Sequence, residues 1–307
     1  MSGSAKINTS SGSQAFSGFD LLLFATTVFA WSFSWYALAV QPGVVANEVS
    51  LVYRFGSAVI LMFLWVIISG RQWSFAAKHH LGFALLGLCL FSNNFLLFYY
   101  ASQYLVSGIL AVIFATASIV NVLFAAIIAR KAPPVKILFA GVLGVFGVVF
   151  LSWPEVQKSD GDWQVVLGIV LSLCGTMFFC CGNLVSGRLQ RVQPRIPLVS
   201  MNAWGMFYGT VWLTFLAVLQ GKPFNWDYRI EYAASMVWLS VISTVIAFAA
   251  YLTLLGRVGS GRSGYATVMF PVGALLLSTF VESYTWSLMS LTGLAMVLLG
   301  NLIIIRG

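Results

Sequence analysis

Apolar residues in this chain keep neither strand alternation nor a single helical stripe. They fill whole runs of roughly 18–22 positions, each long enough to cross about 30 Å of hydrocarbon as a helix, and short clusters of Gly, Pro, Ser and charged residues separate the runs. Ten transmembrane helices are predicted, over residues 19–40, 50–69, 81–100, 107–129, 137–153, 164–186, 197–219, 235–255, 263–281 and 286–305. A membrane β-barrel would instead show short alternating segments. The connections are too short to hold a soluble domain. Residues 1–18, rich in Ser, Gly, Thr and Asn, are expected to form a disordered cytoplasmic tail, and they lack the apolar stretch of a signal peptide.

The pattern occurs twice. In residues 100–153 a span ends, a Gly/Ser break follows, then a span interrupted at mid-point, a charged break and a glycine-studded span. Residues 251–306 follow the same order, and an offset of about 152 residues sets Gly141 opposite Gly293. Five spans per copy is an odd number, so the second copy must enter the membrane upside down. The predicted fold is therefore an all-α polytopic membrane protein of ten helices in two inverted five-helix repeats, residues 19–155 and 156–307. In that architecture a substrate site lies near the bilayer midplane, between the halves.

Composition agrees. The chain is 60% apolar and 8% charged, whereas a soluble domain is about a quarter charged. The net charge of +8 raises the question of nucleic acid, but the placement of the charges answers it. Sorted by loop, twelve of the sixteen basic residues fall on the side of the N-terminus, with Arg130, Lys131, Lys136, Arg188, Arg191 and Arg195 among them. That bias marks a cytoplasmic face, so both termini are expected in the cytoplasm and the protein in the cell inner membrane, with no nucleic-acid partner. Cys89, Cys174, Cys180 and Cys181 all lie in apolar runs, where they suit packing better than disulfides or metal. No cofactor is expected. The expected partners are a small-molecule substrate and the lipid bilayer, with the chain acting as a monomer.

With these features in place, the chain resembles the ten-span EamA-type members of the drug/metabolite transporter superfamily. F-A-W-S-F-S-W at 29–35 is similar to that family's first-span W-G-x-x-F, with Ser32 in place of the glycine, and Y-R-F at 53–55 is similar to its second-span arginine motif. Pro271, Glu282, Gly293 and Gly300 match its closing signature. The first half departs from the pattern: it has no proline near 118, and Arg130-Lys131 stand where a glutamate is usual. The resemblance implies a transporter of small metabolites, often an exporter, and it extends to exporters of amino acids, aromatic ones included.

Polar residues in mid-span are costly and tend to face a bundle interior or a water-filled path. Asn94, Thr116, Asn121, Asn183 and Ser243 are the candidates, with hydrogen bonding between helices as their competing use. Phe91 and Phe98 should share a helical face with Asn94. Trp31 and Trp35, four apart, should stack on one face of the first helix. Phe248, Tyr251 and Met269 complete the expected substrate-binding set. Arg54 lies about a turn from the outer end of its span, where its side chain can snorkel to the interface; binding a carboxylate is its alternative role. Glu282 is expected to cap the tenth span. His79-His80 has no ligand partner nearby, so no metal site is expected there.

No span carries a central Asp or Glu for a proton relay, and none carries the central Lys or Arg that a phosphorylated substrate would need. A neutral or zwitterionic metabolite fits best. The expected function is its export by alternating access, without obligatory proton coupling; a carrier of nucleosides or sugars is the alternative. No cluster of His, Asp or Cys at a membrane face suggests an enzyme.

Overall fold

The computed structural model describes residues 17–158, 163–192 and 196–306. The expected disordered tail therefore lies outside the described residues except for Ser17 and Gly18, as do Lys6, Asp160, Asp162 and Arg195. Ten membrane helices follow in order: α1 (Gly18–Val40), α2 (Asn47–Ile68), α3 (Ala77–Ala101), α4 (Ser107–Ile128), α5 (Val135–Gln157), α6 (Trp163–Val192), α7 (Leu198–Leu219), α8 (Ile230–Gly259), α9 (Tyr265–Val281) and α10 (Leu288–Ile305). Among the described residues nine of these are long and apolar enough to span a membrane, and α9 is a shorter apolar helix of 17 residues. Helix α8 begins five residues earlier than the apolar run suggests. Glu231 stops the apolar run from reaching back, but Tyr232 in the added residues is buried together with Ser235 and Met236 just after them. At the start of α1, Ser17 and Asp20 form a capping box that satisfies two free backbone donors.

Contacts at the helix ends sort the crossings onto two faces. At one face, Asp20 of α1 pairs with Arg257 of α8, and Trp204 of α7 donates to the Trp73 carbonyl beyond α2. At the opposite face Gln41 donates to Ser235 and to the Tyr232 carbonyl of α8, and Asn225 donates to the Val44 carbonyl. Ten alternating crossings bring the end of α10 back to the Asp20 face, where α1 starts.

The two halves interlock. Helix α5 packs against α10, α2 against α7, and α9 against both α1 and α4; each of these broad contacts joins one half to the other. Lipid tails supply no hydrophobic drive between helices, so close backbone approach has to hold them together. Glycine allows it at the α5–α10 crossing. A Cβ on Gly293 would lie 2.4 Å from the Leu151 amide and 2.5 Å from the Gly147 carbonyl.

The duplication is visible down to single hydrogen bonds. Helix α3 contains a π-helical turn at Cys89–Asn93, and α8, its counterpart in the second half, contains one at Trp238–Ile246. In α3 the Ser92 hydroxyl donates to the Gly87 carbonyl at 3.0 Å, and in α8 the Thr244 hydroxyl donates to the Leu239 carbonyl at 2.7 Å. Both donor and acceptor are displaced by the same 152 positions. Helix α4 is interrupted as well, at Thr116, whose hydroxyl turns back onto the Ile113 carbonyl.

Candidate functional site

Aromatic rings from both halves meet along the inner faces of α1, α3, α4, α8 and α9. Trp35 of α1 lies 5.0 Å from Phe98 of α3, 5.4 Å from Phe114 of α4, and stacked at 6.5 Å on Phe270 of α9. One helical turn deeper, Trp31 meets Phe270 edge-on at 6.1 Å and Tyr251 of α8 at 5.1 Å. Phe179 of α6 closes on Phe114 at 4.6 Å. The rings form a column. Phe98 is three residues from the end of α3, whereas Phe270 is eleven from the end of α9, about 16 Å in at the helical rise. Offset and edge-to-face contacts of this kind are favourable for aromatic pairs, by about 0.5–1.5 kcal/mol each. The same geometry would accept another planar or apolar group between the rings.

Ser32, between the two tryptophans, ties the column together by donating to the Phe270 carbonyl at 2.9 Å. Its hydroxyl occupies the space a Cβ would need on Gly273, 2.3 Å away. Serine at 32 and glycine at 273 are thus a matched pair that lets α1 and α9 approach.

Of the residues singled out from sequence, Trp31, Trp35, Phe98 and Tyr251 come together in this column. The others lie elsewhere. The π-turn adds a residue to one turn of α3, rotating the remainder of the helix by about 100°, so Phe91 and Phe98 do not share a face. Phe91 packs on Phe55 of α2 and beside Gly205 and Gly209 of α7. Asn94 is fully buried behind Phe98, donates weakly to the Leu90 carbonyl, and leaves its own oxygen without a partner. Thr116 sits at the α4 interruption. Asn121 of α4 and Asn183 of α6 face each other at 3.4 Å. Ser243 is buried in the π-helical part of α8, and Phe248 one turn later is half-buried. Met269 is exposed, and its neighbour Phe270 turns inward. Phe114, Phe179 and Phe270 escape a reading of the sequence, because a phenylalanine inside an apolar run stands out from nothing. The one available signal is the position of Phe270 directly before Pro271.

Two charged residues differ from expectation. Arg54 does not snorkel: it is 3% exposed and enclosed by the rings of Phe55 and Phe95. Glu282 caps α4 rather than α10. Its carboxylate accepts from the Ser107 amide at 3.1 Å and from the hydroxyls of Ser107 and Ser278, binding the end of α9 to the start of α4. His80 contacts the Tyr208 hydroxyl and the Phe75 carbonyl through its two ring nitrogens and packs on Trp204.

The mouth at one end of the bundle is polar. A cleft of about 530 Å³ opens at the face away from Asp20, lined by Asn47, Glu48, Tyr100, Gln103 and Lys222 among others. Glu48, an outer-loop acid by its sequence surroundings, is buried in the first turn of α2 and accepts from the Tyr100 hydroxyl. The positive end of the helix dipole favours a carboxylate there.

Known proteins resemble this one at three levels. The family model described as EamA-like transporter family matches residues 19–153 and again residues 166–306, once in each half. A "Probable amino-acid metabolite efflux pump" of Salmonella typhimurium is 23% identical over 55% of this chain, which spans little more than half (57%) of that relative's length. The "Uncharacterized inner membrane transporter YedA" of Escherichia coli K12 is 23% identical over 83% of this chain and 80% of its own. One solved structure, described only as the crystal structure of a protein, has a TM-score of 0.64 at 15% identity, covering 92% of this chain and 95% of its own. At that identity it shares the fold alone.

Proposed function

Since this chain belongs to the EamA-like transporter family, and is thus a membrane transporter, we propose that it exports small neutral or zwitterionic metabolites, foremost amino acids including aromatic ones. The observation that carries this reading is the ring column itself. Trp31, Trp35, Phe98 and Phe114 from the first half face Tyr251 and Phe270 from the second, so any change in how the halves meet alters the spacing of the rings. A flat or apolar side chain is the cargo such a surface recognises. The efflux-pump name carried by a relative supports an amino-acid substrate.

The orientation follows from charge. Arg71, Lys78, Arg130, Lys131, Arg188, Arg191 and Arg257 gather at the Asp20 face, which we assign to the cytoplasm. The Glu48–Tyr100 cleft then opens outward, above the column. Among the described residues the buried carboxylates, Asp20, Glu48 and Asp227, sit at or beside helix ends and already have partners. Transport is therefore assigned to the substrate's own gradient without obligatory proton coupling. One chain supplies both walls of the column, so a monomer suffices.

Ligand-induced thermal shift of the purified protein tests the substrate class. A ligand that binds only the folded state adds about 2.7 kcal/mol of stability at one hundred times its Kd. Phenylalanine, tyrosine and tryptophan are expected to raise Tm. A panel in which only nucleosides or sugars do so would replace this reading with the carrier alternative.

A further inference from the structure

The ring column leaves the Arg54 guanidinium without a task. Arg54 is 3% exposed, and its Nε and Nη1 are shut off from solvent with no hydrogen-bond partner. Among the described residues no carboxylate pairs with it. Its guanidinium carbon lies 4.4 Å from the centroid of the Phe95 ring and 5.1 Å from that of Phe55. Tyr99, also fully buried, stands beside it, its hydroxyl close enough to interact with the guanidinium but in no hydrogen bond of full geometry. Cation–π contacts compensate a desolvated guanidinium only in part, and idle buried donors add to the cost. Two unused guanidinium nitrogens and a phenol in one dry place form a donor set suited to the two oxygens of a carboxylate.

The position fits as well. Arg54 is seven residues into α2, about 10 Å below its start by helical rise, and so beneath the cleft that Asn47, Glu48 and Tyr100 line. Phe95, which covers the guanidinium, is one turn from Phe98 of the ring column on the same helix. We propose that Arg54, assisted by Tyr99, binds the carboxylate of the transported molecule while the column takes its side chain. This rests on the amino-acid reading above and adds the group that recognises the acid end of the substrate.

The test compares ligands matched except for the acid: phenylalanine against phenylalaninamide, and benzoate against benzamide. Affinities are measured by calorimetry on the full-length protein in nanodiscs. In the wild type each acid should bind at least tenfold tighter than its amide. Arg54→Met should abolish that preference while leaving amide affinity within about twofold. Arg54→Lys, which keeps the charge but loses the fork, should retain part of the preference. Arg54→Met should also keep or raise Tm, because it removes an unpaired buried charge; a drop in Tm with equal weakening of acids and amides would make Arg54 a packing residue and overturn the proposal. So would an undiminished preference in Arg54→Met, or its absence in the wild type, which needs no variant to observe. The two readings fail separately. Arg54-dependent benzoate binding without amino-acid binding sinks the substrate assignment and keeps the anion site, whereas phenylalanine binding indifferent to its carboxylate does the reverse.

Discussion

Trp35 touches three rings from three other helices, more than any other side chain of α1 in the column. Trp35→Ala is expected to cut transport about tenfold or more, equivalent to ~1.4 kcal/mol, and Trp35→Phe to retain most of it; initial rates in proteoliposomes decide. Asp227, in the loop before α8, tests a different point. The Arg229 side chain and amide hold its carboxyl below the usual carboxylate range. Because folding depresses this pKa, its contribution is complete above the unfolded value near ~3.9 and fades as pH falls through the lower folded value. Asp227→Asn should therefore lower Tm at neutral pH, and the gap to wild type should close in strong acid; a gap constant across pH would show that the ion pair is irrelevant. What the sequence reveals at this scale is contrast. A tryptophan pair at i, i+4 announces a face, whereas Phe114 and Phe270 are apolar residues among apolar residues. The burial of Arg54 is illegible because snorkelling depends on what surrounds the stem, and Phe95 and Tyr99 are remote in the sequence.

Helices held by backbone contact tolerate little added volume. Gly293 is the tightest point of the α5–α10 crossing, and the atoms its Cβ would meet are backbone, which cannot rotate aside. Gly293→Ala is expected to cost about 1–3 kcal/mol or more through overpacking, read as a lower Tm. Gly256→Ala, where a Cβ meets nothing within 4 Å, should be nearly silent. Equal effects would mean the crossing is looser than its contacts imply. Element existence is legible throughout because a run of twenty apolar residues has few other fates. The π-turns are not, since i→i+5 bonding leaves no periodicity over so few residues, and the hidden turn in α3 is what separates Phe91 from Phe98. The interruption of α4, expected at mid-span, falls at Thr116.

For the whole molecule, inversion and duplication can be read from an odd span count and a 152-residue echo, and the matched Ser92 and Thr244 hydrogen bonds carry that echo into the structure. The interlocking cannot be read, because which helix of one half lies against which of the other is encoded in small-residue contacts far apart in sequence. Interlocking bears on the motion. Rocking the sequence halves as rigid bodies would part α5 from α10 and α2 from α7. Movement of helix segments about the α4 interruption, the two π-turns and the non-helical Gly259 in α8 leaves those contacts intact, and we expect access to alternate in that way. The measurement that tests the account most directly is counterflow in proteoliposomes preloaded with unlabelled phenylalanine. Labelled phenylalanine should enter transiently above its equilibrium level without any pH gradient, and Trp35→Ala should slow this entry about tenfold or more. Absence of phenylalanine exchange while a nucleoside or sugar exchanges, or accumulation that appears only when a pH difference is imposed, would contradict it.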